Sequence, residues 1–321
     1  MSGAGAVPDF KPGKEALASI KAAIAAYNAD RTGTENRASR NAALMLIPYV
    51  ITVAFLAFVL LPASDGKDFP WTVYWVGLAA AAFGSAKLWE FAWEPVKRLQ
   101  QNTRSRLVPV ICGFVENIRY ANKAVPQFMQ HLPSESLVVH DRIEHDDLIS
   151  GRHEGMDFEL GEVIFWIKSG KNSEARVFEG VIFYCRAKTP FPGLLIASQK
   201  TSWYQRFGRG GRSERLRDVA CSNKRIDETY EFRSDHSEQA TRLIDGPLST
   251  IILWLSDNWP DGVARISLEG DHIILLVPTE KNHFELPNIS VDLDYERHVA
   301  PMTGQLWRLL STGRLIRDIL N

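Results

Sequence analysis

The stretch NAALMLIPYVITVAFLAFVLLPAS, Asn41 to Ser64, contains no charged residue. After Asp65-Gly66-Lys67-Asp68 comes FPWTVYWVGLAAAAFGSA, Phe69 to Ala86, again uncharged. As α-helices rising about 1.5 Å per residue, both runs are long enough for a hydrocarbon core of roughly 30 Å. The join is too short to hold a domain, so the runs predict a helical hairpin with both chain ends on one side of a membrane.

Charge gives that hairpin a direction. Lys11, Lys14, Lys21, Arg31, Arg37 and Arg40 precede the first run, and Lys97, Arg98, Arg104 and Arg106 follow the second. The join holds only Lys67, between two aspartates. Lys and Arg beside spans favour the cytoplasmic side, which predicts a multi-pass membrane protein with both termini in the cytoplasm and the join outside. Trp71 and Trp75 near one end of the second run, and Trp89 and Trp93 near the other, suit interfacial belts, because an indole has an apolar body and one donor. Lys87 can extend its stem toward the headgroups. A signal peptide is excluded, since some forty residues precede the first run.

Outward from the hairpin, three segments are expected: a cytoplasmic N-terminal segment over 1–40, the membrane hairpin over 41–93 with spans at about 43–62 and 70–90, and a cytoplasmic α+β domain over 94–321. The last is long enough for a sizeable core. Net charge is −1, so no global field favours nucleic acid. Cys112, Cys185 and Cys221 are far apart and form no CxxC pair, which fits free thiols in a reducing compartment.

In the N-terminal segment, Leu17, Ile20, Ile24 and Tyr27 fall on one helical face over Glu15–Asn28, and Thr32–Ser39 reads as a polar linker. Glu94-Pro95 predicts a helix break or kink, with a helical stretch over about Leu107–Tyr120 following. From His145 the period becomes that of strands. Phe158 and Leu160 alternate with Glu159, and Val163, Phe165 and Ile167 alternate in the opposite phase, which predicts a bulge at Gly161-Glu162. Ser169–Ser173 reads as a hairpin loop. Val181–Cys185 is apolar on both faces and reads as a buried central strand, ended by Pro190, Pro192 and Gly193.

Asp235 with Glu238 has the form of a capping box, and Gly246-Pro247 separates two short helices. Ala264–Leu268 and His272–Val277 read as a second hairpin about Gly270-Asp271. A helix from about His298 to Leu320 closes the chain. Antiparallel hairpins with helices grouped between and after them predict an α+β domain with an antiparallel sheet and packed helices.

Trp93 to Val96, Asp146 to Gly151, Asp157 to Glu162, Phe178 to Phe183, Phe232 to Ala240, Phe284-Glu285 and Arg317 to Asn321 form an ordered set of short motifs. On these, the chain resembles a bacterial membrane family of unknown function, DUF3137, from before the first span to the end. Where relatives look like Phe-x-Gly-Leu-Phe, this chain reads Phe178-Glu179-Gly180-Val181-Ile182-Phe183. The resemblance implies architecture and membrane location. It implies no activity, and no catalytic residue is carried over.

Two clusters are candidates for chemistry. His131, His140, Glu144, His145, Asp146, Asp147, His153, Glu154, Asp157, Glu159 and Glu162 are dense in imidazole and carboxylate, types that ligate divalent metals. His140, His145, Asp147 and His153 are the candidate ligands of a membrane-anchored, metal-dependent hydrolase, although the spacing matches no ligand signature. Arg206, Arg209, Arg212, Arg215 and Arg217, interleaved with glycines, are the candidate lipid-binding residues, each worth on the order of 1 kcal/mol against an anionic leaflet. The Gly-Lys-Ser/Thr ending of a phosphate loop is missing, and so is a Gly-x-Ser-x-Gly elbow.

The leading expectation is therefore a tether without catalysis or cofactor. Its partners would be the bilayer and a protein of unknown identity, not nucleic acid. Gly77, Gly84 and the alanines between them allow close helix contact, within the hairpin or between copies of the chain.

Overall fold

A computed structural model describes residues 10–60, 71–133, 137–170, 173–200, 215–279, 287 and 291–319. The chain divides into two compact units. One comprises Met1–Ala16, Val108–Glu285 and Val299–Asn321; the other comprises Leu17–Leu107 and Leu286–His298.

The second unit is built on two long helices, α1 (Lys14–Leu60) and α2 (Trp71–Ile111). Ala38, Val96 and Trp93 pack together, and Tyr49 Oη donates to Ala81 O at 2.8 Å. The expected linker Thr32–Ser39 is helical. Thr32 and Thr34 hydroxyls donate back to Asn28 O and Asp30 O, which occupies the polar groups that suggested a turn. Arg31 is buried between Glu35 and Asp292. Of the break or kink expected at Pro95, the break is absent, since α2 is continuous there. The lost N–H is one bond in a 41-residue helix whose Ala92 and Val96 are buried on either side of it. α1 is long and apolar enough to cross a membrane and its apolar stretch is largely exposed, which points to membrane association.

Helix α2 stops at Ile111, and the end of the helix expected over Leu107–Tyr120 lies instead in strand β1 (Glu116–Asn122). Pairing with the next strand overrides a weak local preference there. The others are β2 (Arg142–His153), β3 (Met156–Lys168), β4 (Glu174–Gln199), β5 (Arg217–Val219), β6 (Tyr230–Ser234) and β7 (Arg265–Pro278). Every pairing is antiparallel, in the order β1-β2-β3-β4-β6-β5, with β7 also on β4. Helices α3 (Lys224–Thr229), α4 (Ser237–Ile244), α5 (Pro247–Asn258) and α6 (Ala300–Arg317) complete an α+β fold. Pro247 starts α5, as its fixed φ favours.

Strand β4 organises the sheet. Its first half pairs with β3, its last residues with β6, and β7 runs along it from Gly180 to Ala197. Pro190, Pro192 and Gly193 were expected to end it. The prolines instead sit where the ladder to β7 is interrupted, between Arg186, Phe191 and Leu194, so their missing N–H groups forfeit little. Strand β7 bends in step, with Gly270 at φ +56° opposite Phe191. Both halves of β7 therefore stay on β4, and the expected hairpin at Gly270-Asp271 does not form.

Both faces of β4 are buried, as its sequence implies. Phe183 lies opposite Leu160 and Leu275, and faces α6 where Gly313 leaves room for its ring. Ile182 points to the other face with Val163, Phe165, Ile274 and Leu276, which Phe128, Leu137 and Val138 cover. The phase change in β3 is this exchange of covered face. The bulge itself lies across the ladder in β2, where Asp146 and Asp147 stand between pairs that bracket only Glu162.

Candidate functional site

The histidine and carboxylate cluster is spread along β2 and its flanks. His140 Nδ1 lies 2.7 Å from Val138 O, and its ring stacks on Phe165. His153, at the far end of β2, is buried with Nδ1 on Phe114 O at 3.2 Å and its ring edge-on to Trp307. Asp147 is buried in the bulge and accepts from Tyr120 Oη at 2.6 Å and Asn122 Nδ2 at 2.9 Å, both from β1. His145 lines a recess of about 330 Å³ with Lys123, Glu144, Asp146, Glu162 and Glu179. Burial pushes its imidazole below the usual pKa. Each of the four candidate ligands thus has its own surroundings. Among the described residues no group of three His, Cys, Asp or Glu side chains is placed to hold a metal ion.

Of the arginine cluster, Arg206, Arg209 and Arg212 lie outside the described residues. Arg217 sits exposed on β5. Arg215 forks onto Asp235 Oδ2 through Nε at 3.0 Å and Nη2 at 2.9 Å. Asp235 does not cap α4, which starts one residue later with His236 in the cap position. Its other oxygen accepts from Leu194 N at 2.8 Å and faces His236 Nδ1 at 3.0 Å. Burial alone would raise this carboxyl, but the bonds from His236, Leu194 and Arg215 outweigh it and hold the pKa at about 2.

A second polar cleft, of about 520 Å³, was not foreseen from sequence. It opens where β3 and β4 part: the ladder ends at Phe158 and Cys185, and beyond it Met156 and Asp157 diverge from Arg186, Ala187 and Lys188. Arg119, Arg152 and Arg317 bring further cations, and Asp157 and Glu159 bring carboxylates.

Arg317, in the last turn of α6, is 9% exposed. Its Nε donates to Asp318 Oδ1 at 3.2 Å, and Lys188 Nζ reaches the same oxygen at 2.9 Å. Burial would raise the Asp318 carboxyl, yet Lys188 and Arg317 bring it below the usual range. Arg186 pairs with Asp271 at 3.1 Å, and exposed Arg152 lies 3.7 Å from Asp157. Arg119 has no ion pair among the described residues.

One wall of this cleft is Tyr184, whose hydroxyl shares a 2.8 Å hydrogen bond with His272 Nδ1. His272 in turn stacks on His131 at 3.7 Å between centroids. Burial, and then the neighbouring His131, push the His272 imidazole below its usual pKa, and burial pushes the Tyr184 phenol up. Near neutral pH the pair is therefore a neutral imidazole and a phenol that keeps its proton: a hydrogen-bonding wall and not a nucleophile. The legible trace of this cleft was Arg317-Asp318, which stood out as a motif of unassigned role.

The family model "Protein of unknown function (DUF3137)" matches residues 176–309. Over that stretch the chain resembles DUF3137. The match begins in β4, ends within α6 and contains β5 to β7, the strands that pack on or beside β4. The crystal structure of the mycobacterial trehalose monomycolate transport factor A, TtfA, aligns with 69% of this chain and 93% of its own, at 11% identity and a TM-score of 0.38. Among curated proteins none matches the chain.

Proposed function

We propose that this DUF3137-like chain is a membrane-tethered binding module. α1 and α2 carry a two-span anchor in the bacterial inner membrane, with both termini in the cytoplasm, and the α+β unit binds a protein partner or the lipid surface without catalysis. The supporting observation is the outside of the helices. Leu44, Ile47, Val50, Ile51, Phe55 and Phe58 of α1 are between 57% and 71% exposed, and α2 exposes Trp75, Val76, Leu78, Phe83, Trp89 and Phe91. In water, so large a contiguous apolar surface is unfavourable, whereas lipid tails cover it at no cost. Lys and Arg on both flanks supply the orientation.

The anchor is tested by carbonate extraction of membranes, and the orientation by reporters fused to each terminus. The expected result is a protein retained in the pellet with both reporters active in the cytoplasm. Release into the supernatant would end the anchor reading, and reporters on opposite sides would end the two-span reading. Among the five arginines, Arg206, Arg209 and Arg212 are the better lipid contacts, since Asp235 already engages Arg215. Changing those three to Ser should weaken binding to anionic vesicles; equal binding removes lipid contact from the proposal.

A further inference from the structure

We propose that the cleft at the β3–β4 fork is a phosphate-binding site, taking the phosphate of a small soluble molecule or of a lipid headgroup. The inference does not depend on the tether. It starts from Arg317, a residue 9% exposed that lines the cleft. Of its five N–H donors, the Nε bond to Asp318 is the one hydrogen bond found among the described residues. The terminal nitrogens keep the planar fork that matches two oxygens of an anion.

Lys188 shares Asp318 with Arg317, so one carboxylate serves two cations there. Arg119 has no ion pair among the described residues; Arg186, also hydrogen-bonded to Tyr184, and Arg152 hold exposed ion pairs, which are worth about 0–1 kcal/mol and exchange readily for a better acceptor. Five cations thus face two lining carboxylates; adding Asp271 and Asp318, just outside the lining, still leaves the cations in excess.

A phosphate suits this set better than a carboxylate. It carries more charge and presents three terminal oxygens, enough to meet Arg317, Lys188 and a third donor at once. At about 520 Å³ the cleft admits more than a bare ion, which accommodates a phosphorylated small molecule or a headgroup. Tyr184, which lines the cleft, brings a hydroxyl for the remainder of such a ligand.

The experiment is calorimetric titration of the full chain in detergent, in one arm with inorganic phosphate and in the other with dihexanoyl phosphatidic acid. Saturable binding is expected in at least one arm, tenfold or more weaker in Arg317→Gln and in the Arg119→Gln, Lys188→Gln pair, and unchanged in Arg225→Gln, which pairs with Asp257 instead. Phosphate alone names a soluble source, phosphatidic acid alone names a headgroup, and both together show that the phosphate itself is read. The exposed pair carries the test if the buried Arg317 variant misfolds. No saturable binding in either arm, or equal binding by wild type and the exposed pair, overturns the proposal. Neither result affects membrane extraction, so the tether stands or falls separately.

Discussion

Asp235 shows how a residue's role can be visible in sequence and still be misassigned. Its spacing to Glu238 has the form of a cap, but its carboxylate joins β4, Arg215 and His236 instead. A local pattern cannot report that Leu194 N, 41 positions earlier, donates to this carboxylate. The structure makes this carboxylate a source of pH dependence. Its folded pKa of about 2 lies below the ordinary 3.8, so its contribution is fully present above about pH 4 and is lost as pH falls toward 2. The size is on the order of 2 kcal/mol, one pKa unit being about 1.4 kcal/mol. Urea unfolding followed by tryptophan fluorescence should show wild type losing more stability than Asp235→Asn between about pH 4.5 and 2.5. Parallel losses would mean that the carboxylate is not held as described. The same limit applies to Arg317: its sequence neighbour Asp318 was visible, but the cations from β1, β2 and β4 that surround it were not.

At the level of elements, periodicity located most strands and misjudged how they end. The Val181–Cys185 run and the loop after Lys168 were legible because burial on both faces and turn residues are local signals. The continuation of β4 through Pro190 and Pro192, and of β7 through Gly270, was not. Those breaks are tolerated because the two strands interrupt their shared ladder at the same place. The packing of α6 on β4 has a sharp test in two glycines of that helix. Gly304 has nothing near the position of a Cβ, whereas at Gly313 a Cβ would overlap the Phe183 ring. Gly304→Ala should be neutral or stabilise by up to about 1 kcal/mol through helix propensity. Gly313→Ala should destabilise by about 1–3 kcal/mol through overpacking. Thermal melts of the two variants moving in the same direction would contradict this packing.

For the whole molecule, the balance of two apolar runs against a polar remainder was legible without any structure, while the membership of each unit was not. The helical unit recruits Leu286–His298, a segment with nothing in its sequence to mark the destination. The anchor predicts a response to charge that a water-soluble surface would not give. Ile51 and Phe55 are exposed on α1, so changing both to Asp is nearly neutral in water, yet each costs about 2.5–3.5 kcal/mol at the centre of a span. The doubly substituted protein should lose membrane retention, and full retention would mean that α1 is not lipid-facing there. A last consequence concerns the order of synthesis. Asn28 receives and gives hydrogen bonds with Leu293, 265 residues further on, and Arg31 pairs with Asp292 beside it. α1 leaves the ribosome well before its clasp. The N-terminal half of that helix therefore waits, without its native partner, until residues 292 and 293 have been made, and a chain stalled before residue 292 would leave Arg31 open to chaperones and proteases.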